Sequence, residues 1–223
     1  MGCKKICAVL LAAGSGSRMN SKIKKQFIEI NGLPLFYYSA KILSEIDEID
    51  KIIIVTTLED VEFVKNIVNN LKKVINVIPG GERRQDSVKA AIDVVPENYE
   101  FVLIHDSARP FVKPGDIKNV IRNGIEYDCS VLGVKVKDTI KEIDADDFSV
   151  KTPDRNYLVS IQTPQVVKRE IIKKGFEKFS NTTFTDDASV MEAMGVKTKI
   201  TYGCYSNIKI TTPEDLIYIK DLM

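Results

Sequence analysis

The chain has 223 residues, of which 44% are hydrophobic and 28% are charged, the balance of a globular protein that buries a core. Its 32 Lys and Arg residues nearly cancel its 31 Asp and Glu residues, and a net charge of +1 excludes a global attraction for nucleic acid or an anionic membrane. No apolar run reaches the roughly 18 residues that span a bilayer. We therefore expect one domain over residues 1–223, in the cytoplasm, with no nucleic-acid and no membrane partner.

Cysteine and histidine usage limits the chemistry further. Cys3, Cys7, Cys129 and Cys204 have neither CxxC spacing nor histidine companions, which indicates free thiols rather than a zinc site or a disulfide framework. His105 is the only histidine, so mechanisms that need a histidine pair are excluded. The chemistry must rest on carboxylates, cations and backbone groups.

Up to about residue 106, apolar stretches alternate with stretches of helical periodicity. A strand that is apolar at every position is buried on both faces, and the helical stretches between such strands are crossovers. This pattern predicts an α/β fold, a Rossmann-like doubly wound, mostly parallel sheet. The predicted strands are 5–13, 51–57, 74–80 and 101–106, and the predicted helices are 34–46, 59–71 and 86–95.

The pattern changes after Cys129. Apolar and polar residues alternate on both sides of a DADD turn, which predicts an antiparallel β-arm over about residues 136–155 that packs on a second copy of the chain. The later predicted elements are helices 166–179 and 186–195, short strands 197–203 and 207–212, and a closing helix 213–223.

Ligands of doubly wound sheets bind beyond the carboxyl ends of the strands, and the loop after the first strand contains Gly14 and Gly16. The loop is not a dinucleotide fingerprint, because Met19 stands where a third small residue is needed. It is not a phosphate-binding NTPase loop either, because Ser17 and Arg18 follow the second glycine. For Arg18, and for the nearby Lys25, the position predicts contact with a triphosphate.

Eight sequence strings, in order and spacing, resemble the 2-C-methyl-D-erythritol 4-phosphate cytidylyltransferase family of the non-mevalonate isoprenoid pathway. The strings are LAAGSGSRM, KKQF, GGERRQDSV, HDSARPFV, VKDTIK, QTPQ, TDDASVME and NIKITTPEDL, and they span nearly the whole chain. One departure is Lys24, which stands where the family often has proline. The resemblance implies a single nucleotidyltransferase domain that transfers CMP from CTP to methylerythritol phosphate, with Mg²⁺ or another divalent cation. It also implies a homodimer intertwined through the β-arm.

The resemblance also implies the site residues. The catalytic residues are Arg18, Lys25, Arg155 and Lys209. The CTP-binding residues are Leu11, Ala12, Ala13, Gly14, Gly16, Arg18, Lys25, Gly80, Gly81 and Ser87. The residues that bind the alcohol phosphate are Asp106, Arg109, Thr139, Arg155, Thr185 and Lys209, with Asp106 as the metal ligand.

The chemistry of this transfer suits a chain with one histidine. The attacking phosphate has its second pKa at about 6 and is already ionised, so no general base is needed. CTP and the alcohol phosphate together bring about six negative charges, so about four protein cations and one divalent ion balance the site.

Each of these residues also has an ordinary structural interpretation. Arg155 could form a surface salt bridge, and Lys209 could be an outward-facing strand lysine. Asp106, Ser87 and Thr185 could cap helices or turns.

The same applies to the remaining side chains. Thr139 could be an ordinary strand threonine, and Arg109 a structural partner of the aspartate three residues before it. Arg83 and Arg84 are expected to face solvent, and His105 to have no catalytic role.

Three other functions remain as alternatives. A ribitol 5-phosphate cytidylyltransferase shares several strings, but it tends to have RNET where this chain has RQDS and TDAC where it has TDDA. A non-catalytic nucleotide-binding module is disfavoured because the predicted cations are all retained. A nicotinamide dehydrogenase is disfavoured by the failed fingerprint.

Overall fold

A computed structural model describes residues 4–14 and 24–222. Within these residues the chain forms one large sheet and two separate two-stranded hairpins. The strands are β1 (Ile6–Leu11), β2 (Glu29–Ile30), β3 (Leu33–Pro34), β4 (Lys51–Thr56), β5 (Val74–Pro79), β6 (Phe101–Asp106), β7 (Cys129–Lys135), β8 (Glu142–Ile143), β9 (Ser149–Lys151), β10 (Val159–Lys168) and β11 (Lys199–Tyr202).

The large sheet has the strand order β11-β7-β10-β6-β1-β4-β5. β1 pairs in parallel with β4 and β6, whereas β10 runs antiparallel to β6 and β7. After β5 the chain crosses back to the other side of β1 to form β6, so the winding direction reverses between β1 and β6. The predicted doubly wound, mostly parallel sheet is confirmed, and its reversal point is where such folds bind ligands.

Helices cover both faces of the sheet. The helices are α1 (Leu35–Ser44), α2 (Val61–Ile67), α3 (Arg84–Val94), α4 (Pro114–Tyr127), α5 (Arg169–Lys178), α6 (Asp187–Ala193) and α7 (Asp215–Leu222). One apolar core contains side chains of α1, α2 and α4, and a second core contains side chains of α3, α5 and α6.

Strand β1 shows why the sheet is rigid. Ala8 and Leu10 enter the first core, while Cys7 and Val9 enter the second, as the two-residue period of a strand requires. All four side chains are fully buried, and each large aliphatic side chain buried in this way contributes about 1.5–3 kcal/mol. The groups at the carboxyl end of β1 are therefore firmly anchored.

Helix α4 was not predicted. Pro114 occupies its first turn, and Ile117 and Val120 are fully buried. The sequence signal for this helix is weak because the segment contains glycines, which lower helix propensity. Gly124 is required by packing, since a Cβ atom there would lie 2.4 Å from Cγ1 of Val166.

The predicted strand 207–212 is wrong. The amide of Ile210 donates to the carbonyl of Ala108 at 2.8 Å, so this irregular segment binds the loop after β6 rather than a sheet edge. Residues 166–168 belong to β10, and α5 begins only at Arg169. Pro213 precedes the closing helix, because the carboxylate of Asp215 accepts the amides of Thr211 and Thr212, four and three residues earlier, and starts the helix there.

The predicted β-arm contains an antiparallel hairpin of β8 and β9. Its residues are exposed, and apolar side chains stand in solvent at Ile143, Phe148 and Val150. Among the described residues, no helix combines the length and the apolar character needed to cross a membrane.

Candidate active site

The carboxyl ends of β1 and β6 lie side by side, with Leu11 opposite Asp106 in the parallel register. The amide of Ser107 donates to the carbonyl of Leu11 at 3.0 Å, which joins the two ends. The glycine loop is described as far as Gly14. The predicted contacts of Gly16 and Arg18 lie outside the described residues.

A cavity of about 310 Å³, here called the glycine-loop cavity, opens beyond these strand ends. Six predicted CTP-binding residues line it: Leu11, Ala13, Gly14, Lys25, Gly81 and Ser87. Ala12 and Gly80 do not line it. The Ala12 amide donates to Val55 and its carbonyl accepts from Gln26, while the Gly80 amide donates to Thr56, so these main-chain groups are already engaged.

The two glycines before α3 allow the turn to approach the helix closely. A Cβ atom on Gly80 would lie 2.5 Å from Oγ of Ser87, and one on Gly81 would lie 2.4 Å from Cβ of Asp86. The Ser87 hydroxyl oxygen accepts the Gly81 amide at 3.2 Å. Ser87 therefore holds the turn against α3 rather than capping the first turn of the helix.

A second cavity of about 450 Å³, the β10 cavity, lies between the end of β6, strand β10 and helix α6. Four of the six residues predicted to bind the alcohol phosphate line it: Asp106, Arg109, Thr185 and Lys209. The other two, Thr139 and Arg155, contribute to neither cavity.

Three charged side chains line both cavities: Arg84, Asp106 and Lys209. Nζ of Lys209 lies 2.6 Å from Oδ2 of Asp106, and Nε of Arg84 donates to Oδ1 at 3.3 Å. The carboxylate of Asp106 thus lies at the junction of the two cavities, with a cation on each oxygen.

The electrostatics keep this carboxylate ionised. Burial by itself raises the pKa of Asp106, but Arg84, Lys209 and Arg109 lower it further than burial raises it, so the pKa lies well below its usual value. At neutral pH the Asp106 side chain is therefore a carboxylate.

The expectation that Arg84 faces solvent is wrong. Its guanidinium donates two hydrogen bonds to the buried carboxylate of Asp187, at 3.0 and 2.8 Å, in addition to the bond to Asp106. Arg83, by contrast, pairs with Asp86 near the surface. Only the direction of the first turn of α3 decides which arginine points inward, and two adjacent arginines look alike in the sequence.

Arg109 is held by the irregular segment that follows β11. Its Nη1 donates to the carbonyl of Asn207 at 2.7 Å, and its Nε is buried without an acceptor among the described residues. Burial lowers the pKa of Arg109, and Asp106 opposes that effect. Arg109 also lines the β10 cavity.

His105 holds the turn that contains Asp106 and Arg109. A carbonyl oxygen only accepts, so Nε2 of His105 carries the proton and donates to the carbonyl of Arg109 at 3.1 Å. Nδ1 then accepts from the hydroxyl of Thr163 at 3.0 Å, and that hydroxyl oxygen accepts the amide of Asp106. Burial lowers the pKa of His105 to about 4, so the ring is neutral and fixes the backbone on both sides of the turn.

The arm residues are placed differently. Arg155 and Thr139 are exposed, and Nη1 of Arg155 donates to the carbonyl of Lys137 at 2.8 Å. The surface salt bridge considered for Arg155 is not what the structure has at this position, since its partner is a backbone carbonyl.

Two further polar residues near the junction were not predicted. Asp187 is almost fully buried, and Gln165 accepts the amides of Asp187 and Ala188 at the start of α6 while its amide group donates to Asp186. The strings QTPQ and TDDA contain these residues, but no sequence pattern indicates that they meet.

Comparison with known proteins identifies the family. The profile described as "IspD: 2-C-methyl-D-erythritol 4-phosphate cytidylyltransferase" matches residues 6–223. The chain belongs to the 2-C-methyl-D-erythritol 4-phosphate cytidylyltransferase family. The resemblance carried by the eight sequence strings is thereby confirmed.

Relatives of this cytidylyltransferase family cover nearly the whole chain. The enzyme of that name from Caldanaerobacter subterraneus is 45% identical over 217 residues, which are 95% of this chain and 96% of the relative. The one from Clostridium botulinum is 43% identical over 219 residues, 96% of each chain.

A solved structure shows the same architecture. The 4-diphosphocytidyl-2C-methyl-D-erythritol synthase from Anaerococcus prevotii superposes with a TM-score of 0.87 at 33% identity, covering 98% of this chain and 96% of that one. The fold of the cytidylyltransferase family is therefore the fold of this chain.

Proposed function

We propose that the chain transfers the CMP group of CTP to 2-C-methyl-D-erythritol 4-phosphate, producing 4-diphosphocytidyl-2-C-methyl-D-erythritol and pyrophosphate for isoprenoid precursor biosynthesis. The observation that carries this proposal is the junction: Asp106 and Lys209 line both the glycine-loop cavity and the β10 cavity. Two phosphorylated molecules bound in adjoining cavities would meet at these side chains. The family to which the chain belongs indicates that these molecules are CTP and 2-C-methyl-D-erythritol 4-phosphate.

CTP belongs in the glycine-loop cavity and the alcohol phosphate in the β10 cavity. An oxygen of the alcohol phosphate attacks the α-phosphorus of CTP, a new P–O bond forms, and the bond from the α-phosphorus to the bridging oxygen breaks. Pyrophosphate leaves with that electron pair. The nucleophile is ionised near neutral pH, with a second pKa of about 6, so the neutral and buried His105 need not act as a base.

The cations stabilise the charge that moves. Lys25 lines the glycine-loop cavity and would contact the triphosphate, together with Arg18. Lys209 lies at the junction and would orient the attacking phosphate. Thr185 and Arg109, which line the β10 cavity, would contact the hydroxyl groups of the methylerythritol.

Asp106 suits a divalent cation, Mg²⁺ or a similar ion. Mg²⁺ in nucleotide sites is held by one or two carboxylates together with phosphate oxygens, and the described residues contain no cluster of three or more acidic, His or Cys side chains that would hold a metal unaided. The ionised carboxylate of Asp106 at the junction supplies the one ligand required. The bound ion would offset negative charge on the transferring phosphoryl group.

The arm supports a homodimer. A two-stranded hairpin is marginally stable by itself, and this one exposes Ile143, Phe148 and Val150 at 54%, 71% and 64%. Because Arg155 and Thr139 reach neither cavity of their own subunit, we propose that they complete the β10 cavity of a partner subunit. The free thiols of Cys7, Cys129 and Cys204 fit a reducing cytoplasm.

The experiment is pyrophosphate release from CTP and Mg²⁺, with methylerythritol phosphate and ribitol 5-phosphate offered in parallel. We expect release with methylerythritol phosphate only. Release with ribitol 5-phosphate alone would move the assignment to the related cytidylyltransferase, and no release with either would indicate a nucleotide-binding module.

A further inference from the structure

Arg84 lies between two carboxylates at the junction of the cavities. It begins α3, and its guanidinium contacts Asp106 on one side and Asp187 on the other. It lines both the glycine-loop cavity and the β10 cavity, as Asp106 and Lys209 do. Arg84 is thus a cation at the site of the proposed reaction that has no assigned role.

Asp187 fixes the orientation of Arg84. Both oxygens of Asp187 accept from the guanidinium, at 3.0 and 2.8 Å, and the Asp187 side chain is only 2% exposed. A bidentate ion pair of this kind fixes the orientation of the guanidinium plane as well as its position. The start of α6, which bears Asp187, is itself held by Gln165, whose side-chain oxygen accepts two amides there.

The two cations on Asp106 differ in how firmly they are held. Lys209 binds Oδ2 at 2.6 Å through one ammonium group at the end of a flexible side chain. Arg84 binds Oδ1 while its other nitrogens remain on Asp187. An incoming phosphate can therefore draw Lys209 away from Asp106 at small cost, whereas drawing Arg84 away would leave Asp187 as an unpaired buried charge.

A second contact reinforces this arrangement. The side chain of Gln85, next to Arg84, donates to the carbonyl of Thr182 at 3.0 Å and accepts the amide of Phe184 at 2.8 Å. The start of α3 and the segment before α6 are consequently tied together. These two segments border the glycine-loop cavity and the β10 cavity respectively.

We infer that Arg84, locked by Asp187, is a positioning residue for the proposed reaction: it keeps the carboxylate of Asp106 at the junction while Lys209 is released to the attacking phosphate. The inference rests on the proposed function, because it assigns Asp106 and Lys209 their roles in phosphoryl transfer. It adds a residue pair, Arg84 and Asp187, that acts through Asp106 rather than on a substrate.

The test compares Arg84→Lys, Arg84→Gln, Asp187→Asn and the double variant Arg84→Gln with Asp187→Asn. We expect Arg84→Gln to lower kcat by about 10²-fold, with the KM for CTP changed by less than about threefold, because the carboxylate of Asp106 loses the contact that positions it for the reaction. Arg84→Lys should lower kcat by about 10-fold, since an ammonium group keeps the positive charge but cannot form the bidentate pair with Asp187. The double variant should be no slower than Arg84→Gln, because the pair acts as a unit.

Lys89→Gln is the matched control. Lys89 lies on the same helix α3, pairs with Asp93 in solvent and lines neither cavity of the site. Its loss removes one cation from α3 and should leave kcat unchanged. A crystal structure of Arg84→Gln supplies a readout besides activity, and it should show the carboxylate of Asp106 turned away from its native position.

Several results would overturn the inference. One is a folded Arg84→Gln enzyme with a kcat within twofold of native. Another is a loss of activity with Asp106 in its native orientation. A third is a failure of all four variants to fold, which would make the pair structural. If the native enzyme itself releases no pyrophosphate, the proposed function fails. If the native enzyme and the variants release pyrophosphate at the same rate, only the role of Arg84 and Asp187 fails.

Discussion

The candidate site has two halves that are built in different ways. The junction half consists of buried or half-buried side chains, Arg84, Asp106 and Lys209, which bind one another at the carboxyl ends of the central sheet. The arm half consists of Arg155 and Thr139, which are exposed on either side of the hairpin of β8 and β9, and that hairpin makes few contacts with its own subunit. Under the proposed function, the charges that must be preorganised lie on the rigid sheet, and the groups on the arm are supplied when two subunits assemble.

This difference separates contacts made within one chain from contacts that we propose form between two subunits. The neighbours of Asp106 at the junction come from one chain and depend on the packing of that chain alone. In the proposed homodimer, the arm depends on a surface of the partner subunit. Changes in the two halves should therefore have separable effects, and the following experiments test that separation from the largest effect to the smallest.

The reactivity of the cysteine thiols compares the interior of the sheet with its periphery. Burial raises the pKa of Cys7 and of Cys129 to about 12, whereas the hydroxyl of Ser206 donates to Sγ of Cys204 at 3.0 Å and lowers the pKa of that thiol. At pH 8 the thiolate fractions then differ by about 10³-fold or more. We expect iodoacetamide to label Cys204 and to spare Cys7 and Cys129, as measured by peptide mass spectrometry. Labelling of Cys7 at a comparable rate would show that the central sheet opens readily.

Mixed dimers test whether the halves come from different subunits. Asp106→Asn and Arg155→Gln should each lower kcat/KM by about 10²-fold or more. If the arm completes the partner's site, an equimolar mixture of the two variants should recover about a quarter of native activity, because half of the dimers are mixed and each contains one intact site. Pyrophosphate release from the re-equilibrated mixture measures this recovery.

The control for this experiment mixes Asp106→Asn with Lys25→Ala. Both changes fall on the glycine-loop cavity of a single subunit, so no mixed site is intact and no recovery is expected. Recovery of activity in the control mixture would contradict the exchange of the arm between subunits. So would a lack of recovery in the mixture of Asp106→Asn with Arg155→Gln.

Matched isoleucines compare stability in the two regions. Ile53→Ala in β4 removes a fully buried side chain and should lower the free energy of unfolding by about 3–4 kcal/mol. Ile143→Ala in the arm, where the side chain is 54% exposed, should change it by less than about 0.5 kcal/mol in dilute protein. Urea unfolding at several protein concentrations measures both. An Ile143→Ala effect that grows with concentration would locate this side chain in the dimer interface.

Two adjacent lysines separate catalysis from stability. Lys25→Ala should lower kcat by about 10²-fold with little change in the free energy of unfolding, because Lys25 lines the glycine-loop cavity. Lys24→Ala should leave kcat unchanged and cost at most about 1 kcal/mol of stability, because Lys24 is engaged with Glu59 and Asp60. Steady-state kinetics and urea unfolding of both variants measure these effects. Equal losses of kcat and stability in Lys25→Ala would show that Lys25 is structural.

Some residues of the junction could be predicted from the sequence, but the position of Arg84 could not. Asp106 and Lys25 could be predicted because they follow buried strands or a glycine loop, and parallel strands end at one edge of a sheet. Arg84 could not be distinguished from Arg83, because both precede the apolar face of α3 and only the packing of the first turn decides which one is buried. Helix α4 was missed because its glycines weaken a signal that packing against β10 restores.

The sequence by itself determined the doubly wound sheet, the family and most of the residues at the strand ends. Runs of Val and Ile, glycine turns and short motifs are local, and their physical consequences do not depend on distant parts of the chain. Only the tertiary structure decided that Lys209 and Arg84 share the carboxylate of Asp106 and that Asp187 anchors Arg84 across 103 positions of sequence. Contacts between side chains that are far apart in the chain depend on directions and distances set by packing, and a linear pattern does not contain them.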